Sequence, residues 1–536
     1  MSTLKNHNKK TALYFLEWFF LSNAVISWLI GFKYLSIILS SKTLYGTSFI
    51  DFVPVWQKIK VLSFIFLAYL GHLTFLTFLP CLLIILPMTL ITRKKWIICP
   101  LAVVIGTLST TLLLADSLVF SQYHFHINLM FLKIAFTKSG LMNFFELSTS
   151  QLRVVAAIIA AIALIEIGLA SVILTKLTLP HGKKIIATLF GFLVFSYLIL
   201  ILSIGNNDAV LARQTPYLPF YNNLFAMILP IKNSALLVEK CSENGFAKPQ
   251  LPSPSSIHYP LHPIQCDRPR DPYNILIIGI ETWRFDAMNQ ALTPHIAEFA
   301  KNAWEFKHHY SGGNATLPGL FSLLYGLPSS YLSSITNNKM DSSLSHVLLQ
   351  EGYQTKVLWS GDHVFPFFAS TPNTLSLGKN SAERDQFITR EFDQFIKTRE
   401  PSKPFFAFLF YDASHNYCSG SEITPGPYPT QHHFCWMFVT PNPPDVINRY
   451  KNAIAFVDHE IAKVLHTLKK NGLLDHTIVI ITGDHGEEFN DNHENYWGHT
   501  GNFTRYQIET PLIVHWPLSV FSLFILPLFS YSNRII

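Results

Sequence analysis

Before residue 210 the chain holds five apolar runs, at roughly 11–32, 61–90, 96–120, 154–174 and 185–204. Each approaches or exceeds the ~20 residues a helix needs to cross about 30 Å of hydrocarbon. A helix buried in a soluble protein shows polar residues at helical period over such lengths, and these runs largely lack them. Composition agrees: of 536 residues 49% are hydrophobic and 14% charged, against about 25% charged in a soluble globular chain. The net charge of +6 is not gathered into a basic stripe, which argues against a nucleic-acid partner. The chain therefore reads as an N-terminal transmembrane bundle of five helices over residues 1–206, followed by an exported part.

Lys and Arg in short loops stay on the cytoplasmic side. Lys5, Lys9 and Lys10 precede the first run, Arg93, Lys94 and Lys95 fill the second connection, and Lys176, Lys183 and Lys184 the fourth. The first run is too long for a signal-peptide h-region and lacks a small-x-small cleavage site, so it reads as a retained span. Five spans from a cytoplasmic N-terminus place everything after residue 206 outside, which in a bacterium is the periplasm. Asp116 and Glu166 lie inside spans, where carboxylates are functional or paired, a helix-to-helix hydrogen bond being the plainer role. Cys81 and Cys99 fall in spans, while Cys241, Cys266, Cys418 and Cys435 fall where oxidation is permitted, with 241–266 and 418–435 the simplest of three pairings.

Residues 207–270 carry prolines at 216, 219, 230, 249, 252, 254, 260, 263 and 269 and read as a periplasmic linker. Arg213 and Tyr217, with Phe220 and Tyr221, follow the fifth run closely. A cation beside aromatic rings at that depth suits either an anchoring belt or a bound lipid headgroup.

From Asp271 strand and helix signals alternate: strands at 274–280, 356–359, 405–410 and 477–482, helices at 293–304 and 446–470. This pattern predicts an α/β domain over 271–517 with a mainly parallel sheet, whose chemistry gathers beyond the carboxyl ends of the strands. Polar residues stand at such ends. Glu281 follows NILIIGI; Asp484 and His485 lie between glycines after TIVIIT and offer an oxygen and an imidazole suited to Zn²⁺ or Mn²⁺. Thr316 follows Gly312-Gly313-Asn314-Ala315 and opens a helix, either as an exposed nucleophile or as an N-cap. His415 and His499 stand in loops that flank apolar sequence.

Together these residues resemble the alkaline phosphatase/sulfatase superfamily, with TLPGLFSLLYG at 316–326 similar to its nucleophile helix. Sulfatases carry a Cys or Ser with an Arg four residues on, whereas this chain has Thr316 and Leu320, a departure that argues against sulfate-ester hydrolysis. The set Glu281, Thr316, Asp484 and His485 instead resembles that of membrane phosphoethanolamine and phosphoglycerol transferases. That resemblance implies one divalent metal on these four residues, Thr316 as nucleophile, and phosphate contacts from His415, His499 and Asn314.

Five spans, a linker and a sulfatase-like domain, with LLLADSLVFSQYHFHINL at 112–129 and the 214–221 linker, are similar to the YejM/PbgA family of inner-membrane proteins. The resemblance implies binding of lipid A or cardiolipin, contacted by Arg213 and Tyr217, and regulatory protein partners in the inner membrane. It leaves two functions open, a metal-dependent hydrolase or transferase acting on phosphorylated envelope lipids and a non-catalytic sensor regulating lipopolysaccharide synthesis. The apolar tail at 518–536 is anomalous for such a domain and reads as a truncation, a frameshift or a short sixth apolar segment.

Overall fold

The computed structural model describes residues 2–40, 55–92, 94–127, 149–175, 181–205, 211, 215–222, 224, 258–262, 264, 271–361, 373–375, 378, 380–417, 426–430, 443–493 and 496–517. Arg213, Cys241, Cys266, Cys418, Cys435 and the 518–536 tail lie outside them. The described residues divide into two compact units, one drawn from 1–250 and the other from 251–536.

The first unit is a bundle of α1 (Ser2–Ser40), α2 (Val55–Pro80), α3 (Lys95–Tyr123), α4 (Thr149–Thr175) and α5 (Gly182–Gly205). Five stretches in these helices are long and apolar enough to cross a membrane. Helix α2 ends at Pro80 and continues through a wide turn, Cys81–Ile85, into Leu86–Ile91; a proline ring without an N–H is a common cause of such a break. Gly71 lets α2 and α5 meet backbone to backbone, since a Cβ there would lie 2.4 Å from the Leu193 nitrogen. Close approach through small residues is how helices pack where no hydrophobic force separates them from lipid.

Asp116 and Glu166 both find donors. Glu166 accepts from Asn23 Nδ2 at 3.0 Å and Thr110 Oγ1 at 3.3 Å, which ties α4 to α1 and α3. Asp116 accepts from Tyr34 Oη, His126 Nδ1 and the Ile127 N–H, each at 2.7 Å. Beyond α5, His72 Nε2 donates to the Pro219 carbonyl at 2.6 Å and Tyr221 shares a hydrogen bond with Ser196, so the turn around Tyr217 is pinned to the bundle. The Tyr217 ring packs edge-on to Phe120.

The second unit contains β1 (Asn274–Ile280), α6 (Pro294–Ala300), β2 (Trp304–Phe306), α7 (Thr316–Tyr325), β3 (Gln354–Trp359), β4 (Asn373–Leu375), α8 (Ser381–Thr398), β5 (Phe405–Tyr411), α9 (Pro443–Lys470), β6 (Thr477–Gly483), β7 (Glu488–Phe489), β8 (Trp497–Gly498) and β9 (Leu512–His515). Its sheet runs β2-β9-β6-β1-β5-β3-β4. The five strands from β6 to β4 are parallel, and β9 is antiparallel to both β6 and β2. The α/β fold with a mainly parallel sheet is therefore as the sequence predicts.

Alternation explains why the central strands read as unbroken apolar runs. Leu276, Ile278 and Ile280 face a core shared with α6, α8 and α9, while Ile277 faces the opposite core with Leu320, Phe321 and Leu324 of α7. Both faces are covered. One boundary differs from expectation: the helix expected at 293–304 stops at Ala300, and Trp304 starts the edge strand β2. Lys301 and Asn302 turn the chain there, and the aromatic Trp304 and Phe306 pair with β9 instead.

Candidate metal centre and nucleophile

Strand register builds the site. Ile280 pairs with Gly483 of β6 and with Tyr411 of β5, so the next residue on each strand, Glu281, Asp484 and Asp412, leaves the sheet at one level. Helix α7 is pressed against this edge. A Cβ on Gly319 would lie 2.2 Å from the Asp484 carbonyl oxygen, and Ser311 Oγ donates to that same oxygen. Thr282 sits at φ 55°, a left-handed conformation costly for a β-branched residue, and it turns its N–H onto Asp484 Oδ1 at 3.1 Å. Tyr450 Oη and the Ser414 backbone hold Thr282 in place.

The carboxylates of Glu281 and Asp484 and the ring of His485 are buried, with one ligand atom from each lying within 4.8 Å of the others. His485 Nδ1 donates to the Gly486 carbonyl at 2.8 Å, which leaves the Nε2 lone pair facing inward. It points at Glu281 Oε1 at 3.0 Å and Asp484 Oδ2 at 3.4 Å. Three electron-rich atoms thus converge, and Asp484 Oδ2 is buried with no hydrogen-bond donor among the described residues. Burial and the neighbouring Asp484 charge drive the Glu281 carboxyl well above its ordinary range, more than His415 and the Thr316 hydrogen bond lower it. Such a donor set fits a divalent cation, and its mix of oxygen and imidazole suits Zn²⁺ or Mn²⁺.

Thr316 is the first residue of α7, and Ala315 occupies the cap position. The N-cap alternative is therefore not realised. Its Oγ1 donates to Glu281 Oε1 at 2.7 Å and lies 3.5 Å from His485 Nε2. His499 and His415 gather beside it: the His499 ring is 4.5 Å from that of His485 and 5.3 Å from that of His415. Asn314 is turned to a scaffold task, with Nδ2 on the Asn502 carbonyl and its own carbonyl accepting from Thr500. Tyr217 belongs to the other unit.

Several contributors escape a reading of the sequence. Asp412 carries the same signal as Glu281, a polar residue directly after an apolar strand, but Arg384 pairs with it at 2.9 Å and Asn416 donates to it. Asp385 accepts the Asp412 and Ala413 N–H groups and so shapes the turn that carries His415; burial pushes its carboxyl up to about 7. Glu487 is buried between Tyr417 Oη and His499 Nδ1, each at 2.8 Å. Burial alone would raise its carboxyl, yet His499 and the Tyr417 hydroxyl hold it below the usual range.

Residues 3–266 match the family described as a domain of unknown function, DUF3413, and residues 273–519 match the sulfatase family. The chain is 24% identical over 509 residues to the inner membrane protein YejM of Salmonella typhi, an overlap covering 94% of this chain and 78% of that one. The likeness to YejM runs through both the membrane part and the sulfatase-like part of the chain. An uncharacterized protein of Haemophilus influenzae is 26% identical over 512 residues, 93% of this chain and 77% of that one. In fold, this YejM-like chain is similar to the integral membrane lipooligosaccharide phosphoethanolamine transferase A (EptA) of Neisseria meningitidis. The TM-score is 0.56 at 14% identity, covering 92% of this chain and 88% of that one.

Proposed function

We propose that this protein is a metal-dependent phosphoester hydrolase or phosphoryl-group transferase acting on phosphorylated envelope lipids, with Thr316 as nucleophile. The domain after residue 270 works in the periplasm on the phosphorylated headgroups of lipid A, cardiolipin or phospholipid, and Arg213 and Tyr217 of the linker are the residues proposed to contact such a lipid. The observation that carries this reading is the position of the Thr316 hydroxyl, 2.7 Å from Glu281 Oε1 within the buried cluster whose Asp484 Oδ2 has no donor.

Glu281, Asp484 and His485 would hold the divalent ion, which supplies charge neutralisation and polarisation at the phosphoryl oxygens. Thr316 Oγ1 attacks phosphorus, its proton having an acceptor at Glu281 Oε1. The bond to the leaving oxygen breaks and a phosphothreonine ester remains, which water or an acceptor hydroxyl then cleaves. His415 and His499 border the attacked centre, where they would meet the phosphoryl group or the oxygen that attacks it. Leu320 is fully buried in the α7 core, so the position where sulfatases carry an Arg offers no guanidinium to a sulfate.

The test is bound metal and phosphodiester turnover by the full chain in detergent. Wild-type protein is expected to retain about one Zn²⁺ or Mn²⁺ and to turn over bis(p-nitrophenyl) phosphate. Thr316→Ala should keep most of the metal and lose turnover by at least about 10³-fold. Activity surviving in Thr316→Ala refutes the nucleophile, and wild-type protein with neither metal nor turnover makes the domain a lipid sensor.

A further inference from the structure

Glu487 is the buried acid beside the site to which neither the metal cluster nor the nucleophile gives a task. It is 2% exposed. Both of its carboxylate oxygens are engaged, Oε1 by the Tyr417 hydroxyl and Oε2 by His499 Nδ1, each at 2.8 Å. Its backbone is fixed as well, because Arg284 Nη1 donates to its carbonyl at 2.9 Å while the same guanidinium grips Asp286 and Asp491. A carboxylate held this firmly against an imidazole decides which ring nitrogen carries the proton.

We infer that Glu487 is a positioning residue that locks His499 as the Nδ1–H tautomer, so that the Nε2 lone pair is the base that receives the proton of the incoming acceptor. The inference rests on the proposed phosphothreonine reaction. The His499 ring stands 4.5 Å from His485, whose Nε2 is 3.5 Å from Thr316 Oγ1, so the base borders the reacting centre. In the second half-reaction the acceptor oxygen, from water or an alcohol, forms its bond to phosphorus while its proton passes to His499 Nε2. The bond from phosphorus to Thr316 Oγ1 breaks, and Oγ1 takes up a proton from solvent in place of the one it lost on attack. His499 then releases its extra proton to solvent, which balances the proton the first leaving oxygen takes up. Holding a neutral imidazole in one tautomer for this transfer is the same service a buried carboxylate gives a catalytic histidine elsewhere.

Two measurements on the full-length protein in detergent test this. Selective ¹⁵N-histidine NMR, with His499→Gln to assign the signal, should show His499 protonated on Nδ1 in wild type and in Glu487→Gln, whose amide oxygen still accepts that proton. In Glu487→Ala the proton should shift to Nε2 or divide between the two nitrogens. Stopped-flow turnover of bis(p-nitrophenyl) phosphate, whose leaving group needs no proton, should show Glu487→Ala releasing one equivalent in a rapid burst. Steady turnover should then be about 10-fold to 100-fold slower than wild type, with phosphorylated Thr316 accumulating in the intact mass spectrum and bound metal unchanged. Glu487→Gln should recover much of the steady rate. An unchanged His499 tautomer in Glu487→Ala overturns the inference, as does a variant slowed in burst and steady phase alike. If wild-type protein turns over nothing, the phosphothreonine reaction fails, and with it the base role of His499.

Discussion

Buried acids in the two units are treated in opposite ways. In the bundle, both oxygens of Glu166 receive donors from Asn23 and Thr110, and Asp116 is saturated by a phenol, an imidazole and a backbone N–H. In the sulfatase-like domain, Asp484 keeps one buried oxygen without a donor among the described residues, and Glu281 shares its Oε1 with a hydroxyl and an imidazole lone pair. Glu488, only four residues past Asp484, shows that the domain can saturate an acid when no ligand is needed: Asn492, Asn502 and Gln507 donate to it. A buried charge without partners is costly. The unsaturated pair therefore marks where a cation belongs, and the saturated acids mark where helices and loops are joined.

The largest effect expected from this contrast is in metal content. Asp484→Asn should lower bound metal by more than about tenfold, whereas Glu166→Gln, which keeps an oxygen for one of its two donors, should leave it unchanged. Equal metal in both variants, measured by elemental analysis, would break the comparison.

Glu281, Asp484 and His485 were legible in the sequence because a buried parallel strand is an unbroken apolar run. The first polar residue after it marks the edge of the sheet. The hydrogen bonds around them were not legible, since these depend on residues brought from afar: Thr282 N–H reaches Asp484, and His499 reaches the neighbouring Glu487, only in the fold. Arg384 and Asp385 sit in SAERDQF, a largely polar stretch with no functional signal of its own, yet both are buried against the β5 turn. The five spans follow from length and apolarity alone. Asn23 and Thr110, the partners of Glu166, carry no such signal, because a single polar residue in a span does not announce which helix it meets.

A second prediction concerns pH. The Asp385 carboxyl rises from its ordinary value to about 7 in the folded domain, so the folded state binds a proton more tightly than the unfolded chain. That contribution to stability is complete below the unfolded value near 4 and is lost as pH climbs through about 7. Thermal denaturation of wild-type protein should show melting falling across this window. Asp385→Asn should lack this component of the slope while melting lower throughout, because its amide turns N–H groups toward a backbone donor. A slope identical to wild type would remove Asp385 as its source.

Smaller effects probe the saturated side. Glu166→Leu strips the shared acceptor from Asn23 and Thr110 and should destabilise the bundle by about 1–2 kcal/mol, read as a lower melting temperature in detergent with metal content untouched. Ser414→Ala removes the hydroxyl that donates to the Glu281 carbonyl and should cost about 1 kcal/mol, with its trace in the stability of the sulfatase domain alone. Loss of metal in Glu166→Leu would mean that the acids of the two units are not independent.

The shared level of Ile280, Gly483 and Tyr411 also ties the centre to the history of the chain. Glu281 and Asp484 are 203 positions apart, and they become neighbours only when β1 and β6 have zipped without slipping. A slip of one residue would send the side chains of β6 to the opposite face and carry the carboxylate away from its partner. The cation site therefore cannot exist in a partly assembled sheet, and an ion that binds there selects the finished domain by mass action. An ion bound there would act as an inspector of folding before any chemistry begins.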